Sequence, residues 1–388
     1  PPENSAFCLG ILHGTALYLC HKETPGMKVH GYVFFCPEVP VFCRFSASFP
    51  VTFTSLQVFC LEGFAMRKNV KKQLALRVLS TAALMAMVSS IATAAFADTY
   101  DLNKGSVDIL AEGGEQRITQ WEDKDNNLCV KDGEGKEIRN RLDDDITLTT
   151  KDETTGETKT TSNTVTIDAK DGNTANVTLQ DVDIESSSKW SSDPAPIEIK
   201  GNGNTNLELN GNNTVFSGNE DHAGIEKADV NGTGTLTIKD DLNDKGEEKT
   251  GTDEDSTLLA GGYYSGAGIG GGSYHDGKNY AHTSNITITG GKITASGGTH
   301  GDGTGKNIRI EGNADVTAFA YDSAGIGSGY QASYDSDITI TGNATVTAAS
   351  EVGSGIGQGL NASGKATITI SGNASVNAET FNEHAAIG

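Results

Sequence analysis

Apolar and polar residues alternate in short runs through the C-terminal part of the chain, and the runs recur. Ile308-Arg309-Ile310 leads through Gly312-Asn313 to Val316-Thr317-Ala318, and nine residues later to Gly325-Ile326-Gly327. The same sentence returns from Ile338 through Gly342-Asn343 and Val346 to Gly355-Ile356-Gly357, and again from Ile368 through Gly372-Asn373 and Val376 to Ala386-Ile387-Gly388. Ile308, Ile338 and Ile368 are thirty residues apart. Alternation at period two predicts strands with one buried face. Ile, Val and Thr suit a pleated surface, and Gly and Asn suit the tight corners between strands.

Three short strands per thirty residues, with nothing of helix length between them, predict one turn of a solenoid. Each coil stacks on the next at the interstrand spacing of roughly 4.8 Å. Three inward ladders are expected: Ile308, Ile338 and Ile368; Val316, Val346 and Val376; and Ile326, Ile356 and Ile387. Asn313, Asn343 and Asn373 are expected to form a polar ladder at a corner. The period extends backwards to Ile146-Thr147-Leu148, with Val177, Leu207 and Leu236 each opening a coil. Val215 and Ile225 are read as equivalents of Val316 and Ile326, and Leu259 and Ile269 likewise. About eight coils result, over 146–388.

These repeats resemble the right-handed parallel β-helix of the pectate-lyase-like superfamily, and most of all the Gly-Ile-Gly-rich repeat proteins of bacterial surfaces. The resemblance covers roughly residues 145–388. It implies an all-β solenoid. It does not select a function, because that fold carries lyases, hydrolases, adhesins and passive stalks.

Two coils depart from the pattern. Between Ile238 and Leu259 the chain inserts an acidic stretch from Asp240 to Asp255, expected to loop out of the stack. After Ile293 the chain reaches Gly303-Thr304-Gly305, where Gly-Ile-Gly belongs, and goes straight on to Ile308. That coil is about eight residues short.

The N-terminal part reads differently. Residues 1–65 hold Cys8, Cys20, Cys36, Cys43 and Cys60, an odd number that argues against a closed disulfide framework. They show no period and are read as an unstructured segment upstream of a start at Met66. Residues 66–97 form a signal peptide: a basic Met66–Lys72, an apolar Val78–Ala94, and Ala95-Phe96-Ala97 as a small-residue cleavage site. The expected location is secreted or cell-surface, with cleavage near Ala97 and no membrane span in the mature chain. Residues 98–145 are charged and weakly alternating, and are expected to cap the first coil. Cys129 is read as a small buried apolar residue. Because the sequence stops inside a repeat, further coils and a wall-attachment segment are expected beyond Gly388.

The chain carries 29 Lys+Arg against 51 Asp+Glu, a formal net charge of -22. That balance argues against a nucleic-acid partner, whose phosphates would be repelled. It favours solubility and the binding of cations. Of the ten tyrosines, seven fall between 263 and 334. Tyr263, Tyr264, Tyr274, His275, Tyr280, Tyr330 and Tyr334 form the candidate glycan-binding set, because an aromatic face with a polar rim suits a sugar ring. Asp240, Asp241, Asp244, Asp253 and Asp255 are the candidate Ca²⁺ ligands, although they lack the spacing of a known calcium loop. No other cofactor is expected.

No catalytic signature emerges. Arg309 has no carboxylate cluster in register beside it, the Asp residues of the last coils force no pair at hydrolase spacing, and the His residues show no metal-ligand spacing. A Thr-x-Thr array of the ice-binding kind is broken by Arg309 and Glu311. The expected protein is therefore a monomeric, adhesin-like surface protein that binds polysaccharide through its Tyr-rich edge. The alternatives are a polysaccharide lyase or glycoside hydrolase on the same fold, and a passive stalk.

Overall fold

The structure is a computed structural model that describes residues 6–12, 15–20, 31–33, 44–46 and 98–388. Within the last range, 187–193, 220–221, 228–231, 242–255, 265, 273–282, 298–305 and 383 are excepted. The chain divides into two units, Pro1–Ala92 and Thr93–Gly388. In the first, Ala6–Leu12 pairs antiparallel with Thr15–Cys20, and Gly31–Val33 with Arg44–Ser46. The signal-peptide segment lies outside the described residues.

The second unit is a parallel β-helix. Its coils have three walls, called here faces A, B and C in the order met by a complete coil such as the one that starts with the strand Thr174–Gln180. Face A is a nine-stranded sheet from Thr99–Asp101 through Ile146–Thr149 to Ala366–Ile370. Eight of those strands belong to the coils counted from Ile146, and Thr99–Asp101 adds a ninth in parallel pairing with Ile146–Thr149. Face B is a seven-stranded sheet from Asp183–Ser186 to Ser375–Thr380. Face C runs from Ser106–Glu112 through Val165–Ala169, Ile197–Lys200 and Ile225–Lys227 to Ile269–Gly270. It resumes as a separate pair, Ile326–Gly327 with Ile356–Gly357.

The interior is built from ladders, as the alternation requires. Ile308 pairs with Ile338 and Ile338 with Ile368; Val316 with Val346 and Val346 with Val376; Ile326 with Ile356, and Ile356 with Ile387. Ile338, Val346 and Ile356 are all buried. Each such side chain removed from water contributes roughly 1.5–3 kcal/mol, and the gain repeats coil after coil. At the corner from A to B, Asn343 Nδ2 donates to Asn313 Oδ1 and Asn373 Nδ2 to Asn343 Oδ1, both at 3.1 Å. The amides therefore satisfy one another up the stack.

Three registers differ from the sequence reading. Leu236 pairs with Thr205, and Ile238 pairs with Leu207. That slip of two residues keeps the same side chains inside. Val215 shares its row with Ala260 and, further on, Ala318, so its equivalent is Ala318 rather than Val316. Leu259 does not face inward: its neighbour Leu258 fills the ladder with Ile293, while Leu259 pairs with Thr294 on the outer surface. A one-residue error in a strand exchanges its two faces.

The Gly-Ile-Gly motif has a steric reason. Gly327 has φ +142°, and a Cβ there would lie 2.0 Å from the carbonyl oxygen of Gly357 in the next coil. The motif lets two backbones approach where a side chain would separate them.

At the N-terminal end, Ser106–Glu112 turns back through an antiparallel hairpin with Glu115–Asp123, and Leu128–Cys129 and Arg141–Leu142 pair against that second strand. Cys129 is buried there as a free thiol, its pKa pushed up by desolvation. Trp121 donates to Asp108 Oδ2 at 2.7 Å and lies under the Arg139 guanidinium, 5.5 Å from the ring centre. In the same layer, Tyr100 donates its hydroxyl hydrogen to Asp143 Oδ2 at 2.9 Å.

Candidate functional site

The outer surfaces of the three faces differ in chemistry. One outward row of face A reads Thr147, Thr178, Glu208, Lys239, with Glu208 paired to Lys239. Beside it lies a polar hollow of about 330 Å³, lined by Asp144, Asp145, Asn176, Asn206, Glu208 and Lys239. One row of face C reads Asp108, Thr166, Glu198 and Glu226, the last of them buried. Face B and the turn that leaves it are different. Leu259, Tyr263, Tyr264, Phe319, Tyr321 and Phe381, all at least 38% exposed, lie there. Apolar side chains of this size usually retreat from water, so their gathering on one edge is informative.

The predicted tyrosines divide between two corners. Tyr263 and Tyr264 follow the face-B strand Thr257–Gly261 and precede Ile269–Gly270 of face C, so they belong to the B–C corner. Tyr330 and Tyr334 lie between Ile326–Gly327 and the face-A strand Ser336–Ile340, at the C–A corner. Tyr330 accepts a hydrogen bond from Gln331 Nε2 at 3.0 Å, and the Tyr334 hydroxyl is buried. Tyr274, His275 and Tyr280 lie outside the described residues. Sequence reasoning gave weight to tyrosines and passed over Phe319 and Phe381. The thirty-residue frame finds Phe381, which it sets at the position of Tyr321; Phe319 stands in register with Ala349 and carries no such signal.

Of the acidic insertion, Asp240 and Asp241 are described, and Asp244, Asp253 and Asp255 are not. Asp240 Oδ1 accepts from the Ser256 backbone at 3.2 Å, and Asp241 Oδ1 accepts from the Ser256 hydroxyl at 2.8 Å. The two ends of the insertion are thereby tied together where it leaves the sheet. Among the described residues, no group of three His, Cys, Asp or Glu side chains converges as a metal site would require.

One acid–base pair escaped the sequence reading. Glu226 Oε2 lies 2.8 Å from His222 Nδ1 and accepts from the Ala223 backbone at 3.0 Å. Both side chains are largely buried. Both contacts fall within four residues, so the carboxylate braces its own B–C turn.

An apolar cavity of about 40 Å³ lies inside the solenoid between Ile269 and Ile326, lined also by Ile286, Ile308 and Ala318. It falls at the coil that lacks a Gly-Ile-Gly in its sequence. Among the described residues, no helix is long and apolar enough to cross a membrane. Comparison with protein-family models, with curated proteins and with solved structures finds no match.

Proposed function

We propose that this chain is an exported surface protein, adhesin-like, whose β-helix binds carbohydrate through the aromatic edge at the B–C corner. The carrying observation is the exposure of Tyr263, Tyr264, Phe319, Tyr321 and Phe381 on face B and the turn that leaves it, the only exposed Tyr, Phe or Trp side chains of the solenoid among the described residues. A sugar ring has an apolar C–H face rimmed by hydroxyls, and a Tyr or Phe ring offers the matching flat surface. The leader-like segment 66–97 supports export. Parallel walls hydrogen-bonded from coil to coil hold the edge rigid, which lowers the ordering cost of binding.

The test is a glycan and polysaccharide array probed with the full chain, with released product measured on the same samples. Binding without product, lost when Tyr263 and Tyr321 are both changed to Ala, supports the reading. Product release overturns it in favour of a lyase or hydrolase. Binding that survives the double substitution moves the site away from this edge.

A further inference from the structure

The aromatic edge has a spacing of its own. Backbone hydrogen bonds run from Gly262 N to Ser296 O and from Gly297 N to Phe319 O, which places Gly262, Gly297 and Ala320 in one row. Ala320 pairs with Ser350, and Ser350 with Thr380. Tyr263, Tyr321 and Phe381 each come one residue after a member of that row. Further hydrogen bonds, Glu351 N to Ala320 O and Phe381 N to Ser350 O, carry the row's register to Tyr321, Glu351 and Phe381. The three residues therefore stand in one file, each one step past that row, in the fifth, seventh and ninth coils counted along face A. They are 53%, 45% and 59% exposed.

Rings in alternate coils repeat at about 10 Å, twice the stacking distance. A straight β-1,4-linked hexose polymer turns over at each sugar, so the same ring face returns at every second unit, at a comparable distance. An α-1,4-linked glucan coils and keeps no such line. The formal charge of -22, with Glu351 between two of the rings, opposes a polyanionic glycan.

We infer that Tyr263, Tyr321 and Phe381 form a linear platform for an uncharged, straight β-1,4-linked polysaccharide lying along the solenoid axis, each ring stacking on every second sugar. This inference rests on the glycan-binding reading above and specifies its ligand. Spanning the platform takes about five sugars, by the coil spacing, so affinity rises with chain length until the file is filled.

The experiment is calorimetric titration of the full chain with cellohexaose and chitohexaose, with their disaccharides, with an α-linked maltohexaose and with oligogalacturonate. A β-1,4-linked hexaose is expected to bind at least tenfold more tightly than its disaccharide. Tyr321→Ala, at the centre of the file, is expected to weaken the hexaose about tenfold, the scale of one lost aromatic contact, and to leave the disaccharide nearly unchanged. Tyr321→Phe retains binding, which separates ring stacking from a folding defect. Equal affinity for hexaose and disaccharide, or indifference to Tyr321→Ala, overturns the platform. Aromatic-dependent binding of maltohexaose or oligogalacturonate in place of the β-linked probes overturns the platform and keeps the glycan-binding reading. If no glycan binds here or on the array, both fall.

Discussion

Lys227 donates through Nζ to the backbone carbonyl of Ser284, at 3.0 Å, from inside the solenoid. It occupies the register position of Ile199 in the coil before, and its side chain is 2% exposed. Its four-carbon stem takes the place of an apolar side chain, and its head ties face C of one coil to the start of a later face-A strand. Lys227→Ala removes both and is expected to cost on the order of 2–5 kcal/mol. Lys227→Met keeps the stem and loses the donor, and is expected to cost roughly 1–2 kcal/mol. Urea denaturation of the two variants separates the contributions. Equal losses would show that the head group, and not the stem, carries the stability.

Gly327 is a point of close backbone approach in the Gly-Ile-Gly stack, as is Gly357, whose added Cβ would lie 1.9 Å from the Gly388 carbonyl oxygen. A methyl group on Gly327 meets the Gly357 carbonyl at 2.0 Å, which is backbone and cannot swing away. Gly327→Ala is therefore expected to lower stability by several kcal/mol, more than the roughly 1–3 kcal/mol of ordinary overpacking. Gly133, whose added Cβ meets nothing within 4 Å and whose φ is not positive, is the control. Thermal unfolding followed by circular dichroism checks the contrast, and comparable midpoints for the two variants would refute the steric account.

The pair Tyr100 and Asp143 gives the N-terminal layer a pH dependence. Burial raises the Asp143 carboxyl above its ordinary value of 3.8, while hydrogen bonds from the Asp145 backbone and the Tyr100 hydroxyl pull it back. The Tyr100 hydroxyl is itself pushed far up, first by burial and then by the negative Asp143. A carboxyl whose folded pKa is raised holds its proton more tightly in the folded state. Its contribution to stability is thus present below 3.8 and is lost as pH rises through the raised value. Asp132 has the opposite sign: hydrogen bonds from the Lys136 backbone and the Arg141 guanidinium lower its pKa, so its contribution holds above 3.8 and is lost at lower pH. Tyr100→Phe is expected to raise the Asp143 pKa further, read by carboxyl-carbon NMR titration. A titration that stays put or moves down would show that the hydroxyl does not stabilise the charged form.

Much of the fold could be read from the chain because a coil repeats its chemistry. Ile308, Ile338 and Ile368 had to stack if the thirty-residue period meant anything, and they do. Register was less legible where repeats decay. Leu258 and Leu259 are both leucine, so composition cannot say which faces inward, and only the pairing with Ile293 decides. The edge was harder still. Tyr263 and Tyr330 look alike in sequence, yet they stand at different corners because a strand of face C separates their turns. Phe381 was invisible to a search for tyrosines, although its place in the repeat matches that of Tyr321.

The tie between Asp241 and Ser256 has a consequence for how such a protein can change over generations. The hydrogen bonds of the walls run from strand to strand into the coils before and after, and an insertion whose two ends are tied to each other leaves that pairing intact. Faces A and B continue unbroken past the coil with the long acidic insertion and past the coil that is short by about eight residues. Their strands keep their partners in both places. Inheritance is therefore free to change the length of such a corner, while the walls stay under the strict copying that stacking demands.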